Sequence, residues 1–172
     1  MGERGAIQVH YSYGSNTNYE PDSIEPLQER SEGSVYLYTH WTGHEIKNIL
    51  AEALIKGKGR WADPSYLTRI IFNHMTRGEQ GNYAQETTGY GIDFLEPDVN
   101  YPIVRVFYPP LSDDPYPYIE CDNEIYSIQE FIKRNAQKLL YGGMDYWNKV
   151  KKDDPVLVET ASDFLLTYGN VH

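Results

Sequence analysis

The sequence predicts an α+β fold: a mostly antiparallel sheet with three or four helices packed on it, in a single domain. Three observations lead there. The chain has 172 residues, enough to bury one sizeable core. Its strand patterns come in adjacent pairs instead of alternating with helices, which favours antiparallel pairing over a doubly wound parallel sheet. Its best helical patterns carry their own start signals.

The elements follow in order. GAIQVHYSYG alternates Ile7, Val9 and Tyr11 against Gln8, His10 and Ser12, the period of a strand. Residues 15–33 are polar, acidic and interrupted by prolines, which predicts a long exposed loop. SVYLYTHW is a second strand, with Val35, Leu37, Thr39 and Trp41 on one face and Tyr36, Tyr38 and His40 on the other. Thr42 and Glu45 have the spacing of a capping box, and Trp41 is placed to staple onto Ile46. A helix then carries Ile46, Ile49, Leu50, Ala53 and Leu54 as one stripe, ending at Gly57-Lys58-Gly59.

Asp63-Pro64 opens the second helix, whose stripe is Leu67, Ile70, Ile71, His74 and Met75. TTGYGIDFL and YPIVRVFY predict two further strands, the latter buried. YIECDNEIYS is one strand or a tight hairpin around Asp122-Asn123. Ser127 with Glu130 forms a capping box, and Tyr126 with Phe131 a staple, for a helix running to Gly142-Gly143. The tail predicts one short helix in ETASDFLLTYG. Residues 1–143 thus form the core domain and 144–172 a C-terminal helical extension.

Composition narrows the function. A net charge of −10 argues against a general nucleic-acid binder, which needs a basic face to release counterions. No apolar run approaches the length of about 18 residues that a transmembrane helix needs. MGERGAIQVH has no apolar signal core, and Ala6 breaks the myristoylation pattern. The one cysteine, Cys121, excludes an internal disulfide framework. A cytoplasmic protein is expected, in the host cytoplasm if the source is viral. Charge is also uneven. Residues 44–78 hold six Lys/Arg against three acids, while residues 93–124 hold eight acids against Arg105 alone.

No phosphate-binding loop, dinucleotide fingerprint, HExxH or GxSxG is present. His40, His44 and Glu45 match no metal-ligand spacing, and the carboxylates around Cys121 raise its thiol pKa. No catalytic residue, metal or cofactor is therefore expected. The candidate ligand site is a set of aromatic and cationic side chains: His40, Arg60 and Arg69, with Tyr36, Tyr38, Trp61, Tyr66 and Tyr90 as walls. Aromatics stack on a planar base, and arginine grips phosphate bidentately. The structural alternative has Trp61 plugging the core and Arg60 pairing with Asp63.

GERGAI, VYLYTHWTG, GRWADPSYLTRIIF and TGYGI together resemble a family of small uncharacterised proteins of phages and prokaryotic genomes, over about residues 2–108. The resemblance implies a mobile-element setting and transfers no functional residue. In that setting the expectation is a non-catalytic anti-defence protein that sequesters a small anionic nucleotide-like signal. The alternatives are an acidic DNA mimic or inhibitor that binds a host defence protein, and a nucleotide-acting hydrolase using His40 and an acid. Neither nucleic acid nor membrane is an expected partner; self-association is open.

Overall fold

The structure is a computed structural model that describes residues 2–13, 31–77, 89–109 and 113–169. It is an α+β domain in which six strands form one mixed, mostly antiparallel sheet. The strands are β1 (Gly5–Tyr13), β2 (Ser31–Thr39), β3 (Tyr90–Asp93), β4 (Val104–Tyr108), β5 (Tyr118–Cys121) and β6 (Glu124–Tyr126), ordered β3-β2-β1-β4-β5-β6. Among the described strands, β1 and β4 run parallel and the other pairs antiparallel. The helices are α1 (Ile46–Lys56), α2 (Pro64–Met75), α3 (Ile128–Asn135), α4 (Gln137–Tyr141), α5 (Gly143–Asp153) and α6 (Pro155–Tyr168). No described helix is long and apolar enough to cross a membrane.

Strand alternation divides the sheet into two unlike faces. Ile7, Val9, Leu37, Val104, Val106 and Ile119 are fully buried and share one cluster with the helices. The other face carries Gln8, His10, Ser34, Tyr36, Arg105 and Glu120, the residues that alternate with them. β4 follows this pattern, with Arg105 exposed between buried Val104 and Val106, so it is half-buried and not the wholly buried strand expected. Helix α1 is the centre of the core: Ile49, Leu50, Ala51, Ala53, Leu54 and Ile55 all lie inside. It packs on α2, α3, α6 and β1, which explains why it is apolar on more than one side.

Several local signals act as their chemistry requires. Asp63 caps α2 by accepting from the Tyr66 N–H at 3.2 Å, with Pro64 at the first helical position. Ser127 and Glu130 form the reciprocal capping box of α3, and the Tyr126 and Phe131 rings meet at 6.3 Å. Ser127→Ala should cost about 1 kcal/mol, measured by urea unfolding; an unchanged midpoint would show that the box contributes nothing. Asp122 and Asn123 close the β5–β6 hairpin with φ of 52° and 63°. Positive φ at both central residues is the turn that matches strand twist, and Asp and Asn tolerate it.

Other expectations are corrected. Thr42 makes no side-chain cap. Its hydroxyl lies 2.9 Å from that of Thr39, and a 3₁₀ turn over Gly43–Glu45 precedes α1. Trp41 is half-exposed and meets His40 edge-on at 4.6 Å. The site of this entry turn is set by backbone proximity: a Cβ on Gly5 would lie 2.6 Å from Gly43 Cα, and the Gly43 N–H donates to Glu3 O at 2.8 Å. β2 already begins at Ser31, so the expected loop is shorter at its C-terminal end, and the rest of it lies outside the described residues. The expected helix from Ser127 to Gly142 is broken at Ala136 into α3 and α4. The tail holds two helices, α5 and α6, and Leu157, Ala161 and Phe164 of α6 belong to the same core as the sheet.

Candidate functional site

A dense polar constellation joins α1 and α2 to the tail. Asn48, Glu52 and Lys56 are spaced i, i+4, i+8 along α1, so they share a face. His74 sits in the last turn of α2 with Arg77 three residues on. Asp154 caps α6, accepting from the Leu157 N–H at 3.1 Å.

The Glu52 and His74 side chains are almost completely buried, at 4 % and 0 % exposure, and meet at 2.8 Å between Oε2 and Nε2. The same Glu52 oxygen accepts from Arg77 Nη1 at 2.6 Å, while Oε1 accepts from Asn48 Nδ2 at 3.2 Å. Arg77 Nη1 lies against the His74 ring, in contact with Nε2 and 3.2 Å from Nδ1. On the other side, Lys56 donates to Asp154 at 2.8 Å, and that carboxylate is 3.9 Å from His74 Nδ1. These groups wall a cleft of about 910 Å³, completed by Ile70, Asn73, Tyr146, Val150, Lys152 and Asp153.

The protonation states follow from burial and neighbours. Burial disfavours a charged imidazole and holds His74 below its ordinary value; the hydrogen bond to Glu52 opposes this and the Arg77 charge reinforces it. His74 is thus held in its neutral form at neutral pH, with Nε2 against the Glu52 carboxylate. Burial pushes the Glu52 carboxyl up, but the His74 hydrogen bond and the Arg77 charge outweigh it, so Glu52 titrates below its usual range.

A depressed histidine means that the unfolded chain binds more protons below its ordinary value of 6.5. Its contribution to stability is present above that pH and is lost as pH falls towards the lower folded-state value. Glu52 adds a second loss below 4.5, in the same direction. The melting temperature should therefore fall on acidification from about pH 7 to about pH 5. His74→Gln should flatten the upper part of that slope; identical slopes in both proteins would refute the assignment.

The eight residues singled out by sequence fall in separate places. Trp61 is in the core, its indole donating to Leu54 O at 2.8 Å and its own carbonyl accepting from the Tyr108 hydroxyl at 2.7 Å. Arg60 and Arg69 stand over the half-exposed Tyr66 ring, with guanidinium carbons 4.6 and 5.6 Å from its centre. Neither has an ion-pair partner among the described residues, so the Arg60–Asp63 pair of the structural alternative does not form. Tyr36 and Tyr38 project from the sheet face opposite the helices. Tyr36 accepts from Gln8 Nε2 at 3.1 Å, and the Tyr38 hydroxyl is 2.9 Å from His40 Nδ1. Tyr90 pairs with Thr39 and packs against the core. The sheet therefore stands between the Tyr36–Tyr38–His40 group and the Arg60–Tyr66–Arg69 group.

Glu52, His74, Arg77 and Asp154 were not singled out by sequence. A signal existed: Glu52 and His74 are ionisable residues at helix positions flanking or within an apolar stripe. Their mutual contact is separated by 22 residues and depends on how α1 crosses α2. The described residues contain no group of three or more metal-ligating side chains suited to one ion. Comparison of the chain with known protein families, with curated proteins and with solved structures finds no match.

Proposed function

We propose that this chain binds a small anionic molecule in the cleft between α1, α2, α5 and α6, and holds it without chemistry. The observation that supports this reading most is the state of Arg77. A buried carboxylate fixes one end of its guanidinium, while the side chain as a whole stays 41 % exposed. Its remaining N–H groups are left to face a ligand in fixed orientation, the arrangement that suits phosphate or carboxylate.

The rest of the cleft agrees. Glu52 is consumed by His74, Arg77 and Asn48, and Asp154 by Lys56 and the α6 cap. Lys152 has no ion-pair partner among the described residues and adds a second cation. Ile70, Tyr146, Val150 and Leu157 provide apolar and aromatic wall for an organic body. The volume falls within the range of about 300–1,000 Å³ typical of small-molecule sites. The His74 ring is fully covered, which argues against its use as a proton carrier to a substrate. A nucleotide-like anion fits this chemistry, in line with the signal-sequestering role implied by the resemblance to phage proteins.

Calorimetry with pyrophosphate, cyclic nucleotides and ADP-ribose, against an uncharged nucleoside, tests the reading. Binding should be confined to the anions. Lys152→Ala should weaken it while leaving the melting temperature unchanged. Arg77→Gln should cost roughly 2–3 kcal/mol of binding, a factor of about 30–150. Asp153 is exposed on the rim with no ion-pair partner among the described residues, so Asp153→Asn should tighten binding. No binding by any anion, or binding indifferent to both cation variants, would overturn the proposal.

A further inference from the structure

On the edge of the sheet remote from β6, the chain displays a feature the cleft does not use. β3 is the last strand in the sheet order, hydrogen-bonded to β2 on one side. It runs directly into Phe94 and Leu95, which are 81 % and 82 % exposed, and Ile92 just before them is 52 % exposed. Folded chains expose single apolar residues routinely, but adjacent large ones on one projecting segment mark a contact surface.

The segment is held at both ends. Pairing from Tyr36 to Asp93 and from Thr39 to Tyr90 fixes its start. At its end, Arg4 binds Asp98 at 2.7 Å, and the Arg4 N–H donates to Asn100 Oδ1 at 3.1 Å while the Asn100 N–H donates to Arg4 O at 3.0 Å. Phe94 and Leu95 are thus presented on a short bridge between two anchors, so little ordering entropy is lost when they bind. Asp93, Glu96 and Asp98 flank them, with Arg4 the one cation bound to this segment among the described contacts.

We propose that the segment from Ile92 to Asp98 docks on a second protein, Phe94 and Leu95 entering an apolar pocket whose rim carries Lys or Arg. The apolar pair supplies the anchor and the flanking carboxylates select the rim. The acids also disfavour the other occupants. A second copy meeting the same segment would set carboxylates against carboxylates, and nucleic acid and anionic lipid are repelled outright.

The test replaces Phe94 by p-benzoylphenylalanine in the full chain, with the same photoreactive residue at Leu166 as a control, since Leu166 is equally exposed but lies on α6. Both proteins are irradiated in the cell from which the sequence comes. The expected result is one protein adduct specific to position 94, mapped to an apolar pocket bordered by Lys or Arg. Its yield should fall about tenfold when Asp93 and Glu96 are both changed to Lys. The proposal is overturned by no adduct above the control, by an adduct to a second copy, nucleic acid or lipid, or by an adduct insensitive to charge reversal.

Discussion

Trp61→Ala lowers the stability of the chain by about 4 kcal/mol, the largest loss expected from any of the aromatic residues that sequence marks as ligand walls. The indole is 2 % exposed and sits under the turn between α1 and α2, in contact with the rings of Tyr116 at 5.8 Å and Tyr168 at 6.0 Å. Removing it deletes most of a large side chain from a close-packed site, and the loss combines transfer and cavity terms. It also strips a buried donor from Leu54 O. Trp61→Phe separates the two effects: the ring volume is largely kept, and the cost should drop to about 1–2 kcal/mol, that of an unmet hydrogen bond plus a small void. Urea unfolding of both variants measures this. Equal stability of Trp61→Ala and the wild type would place the indole outside the core.

Glu52→Ala is expected to destabilise by about 3 kcal/mol, because it removes one partner of a buried pair and leaves the other. His74 would lose the carboxylate that its Nε2 meets, in a fully covered position. Arg77 is 41 % exposed and can turn to water, which keeps the figure at the lower end of the range for such losses. Glu52→Leu combined with His74→Leu removes both polar partners, and its cost should be much smaller than the sum of the single changes. Chemical unfolding of the two single mutants and the double mutant gives the coupling. An additive result would mean that the pair contributes nothing as a pair, and that Arg77 is not oriented by it.

The contrast between Ser127 and Thr42 shows what was legible locally. Both have the same spacing to a glutamate, and both precede an apolar helical stripe. At Ser127 no other side chain among the described residues competes for the hydroxyl outside the box, and the cap forms. At Thr42 the strand before it ends in a buried threonine whose hydroxyl sits 2.9 Å away and accepts from the Thr42 N–H at 3.3 Å. The hydroxyl is diverted by a partner three residues back, a competition that spacing alone does not reveal. Asp154-Pro155 repeats the cap signal of Asp63-Pro64, so the start of α6 is marked in the sequence. Its consequence was not present there: Asp154 also receives Lys56 from 98 residues away.

By itself the sequence determined the α+β class, the alternation of β1 and β2, and the caps at Asp63 and Ser127, and it offered the tight turn at Asp122-Asn123 as one of two readings. Each depends on residues within about four positions of one another, where period, propensity and side-chain reach decide the conformation. Only the tertiary structure decided which polar residues meet. It sent Tyr36 and Tyr38 to the sheet face opposite Arg60 and Arg69, put Trp61 in the core, and drew Glu52, His74, Arg77 and Asp154 to one cleft. The physical reason is that apolar burial orients helices and strands as whole bodies. A polar side chain is carried wherever its element's apolar face requires, and the partner it finds there lies far away in sequence.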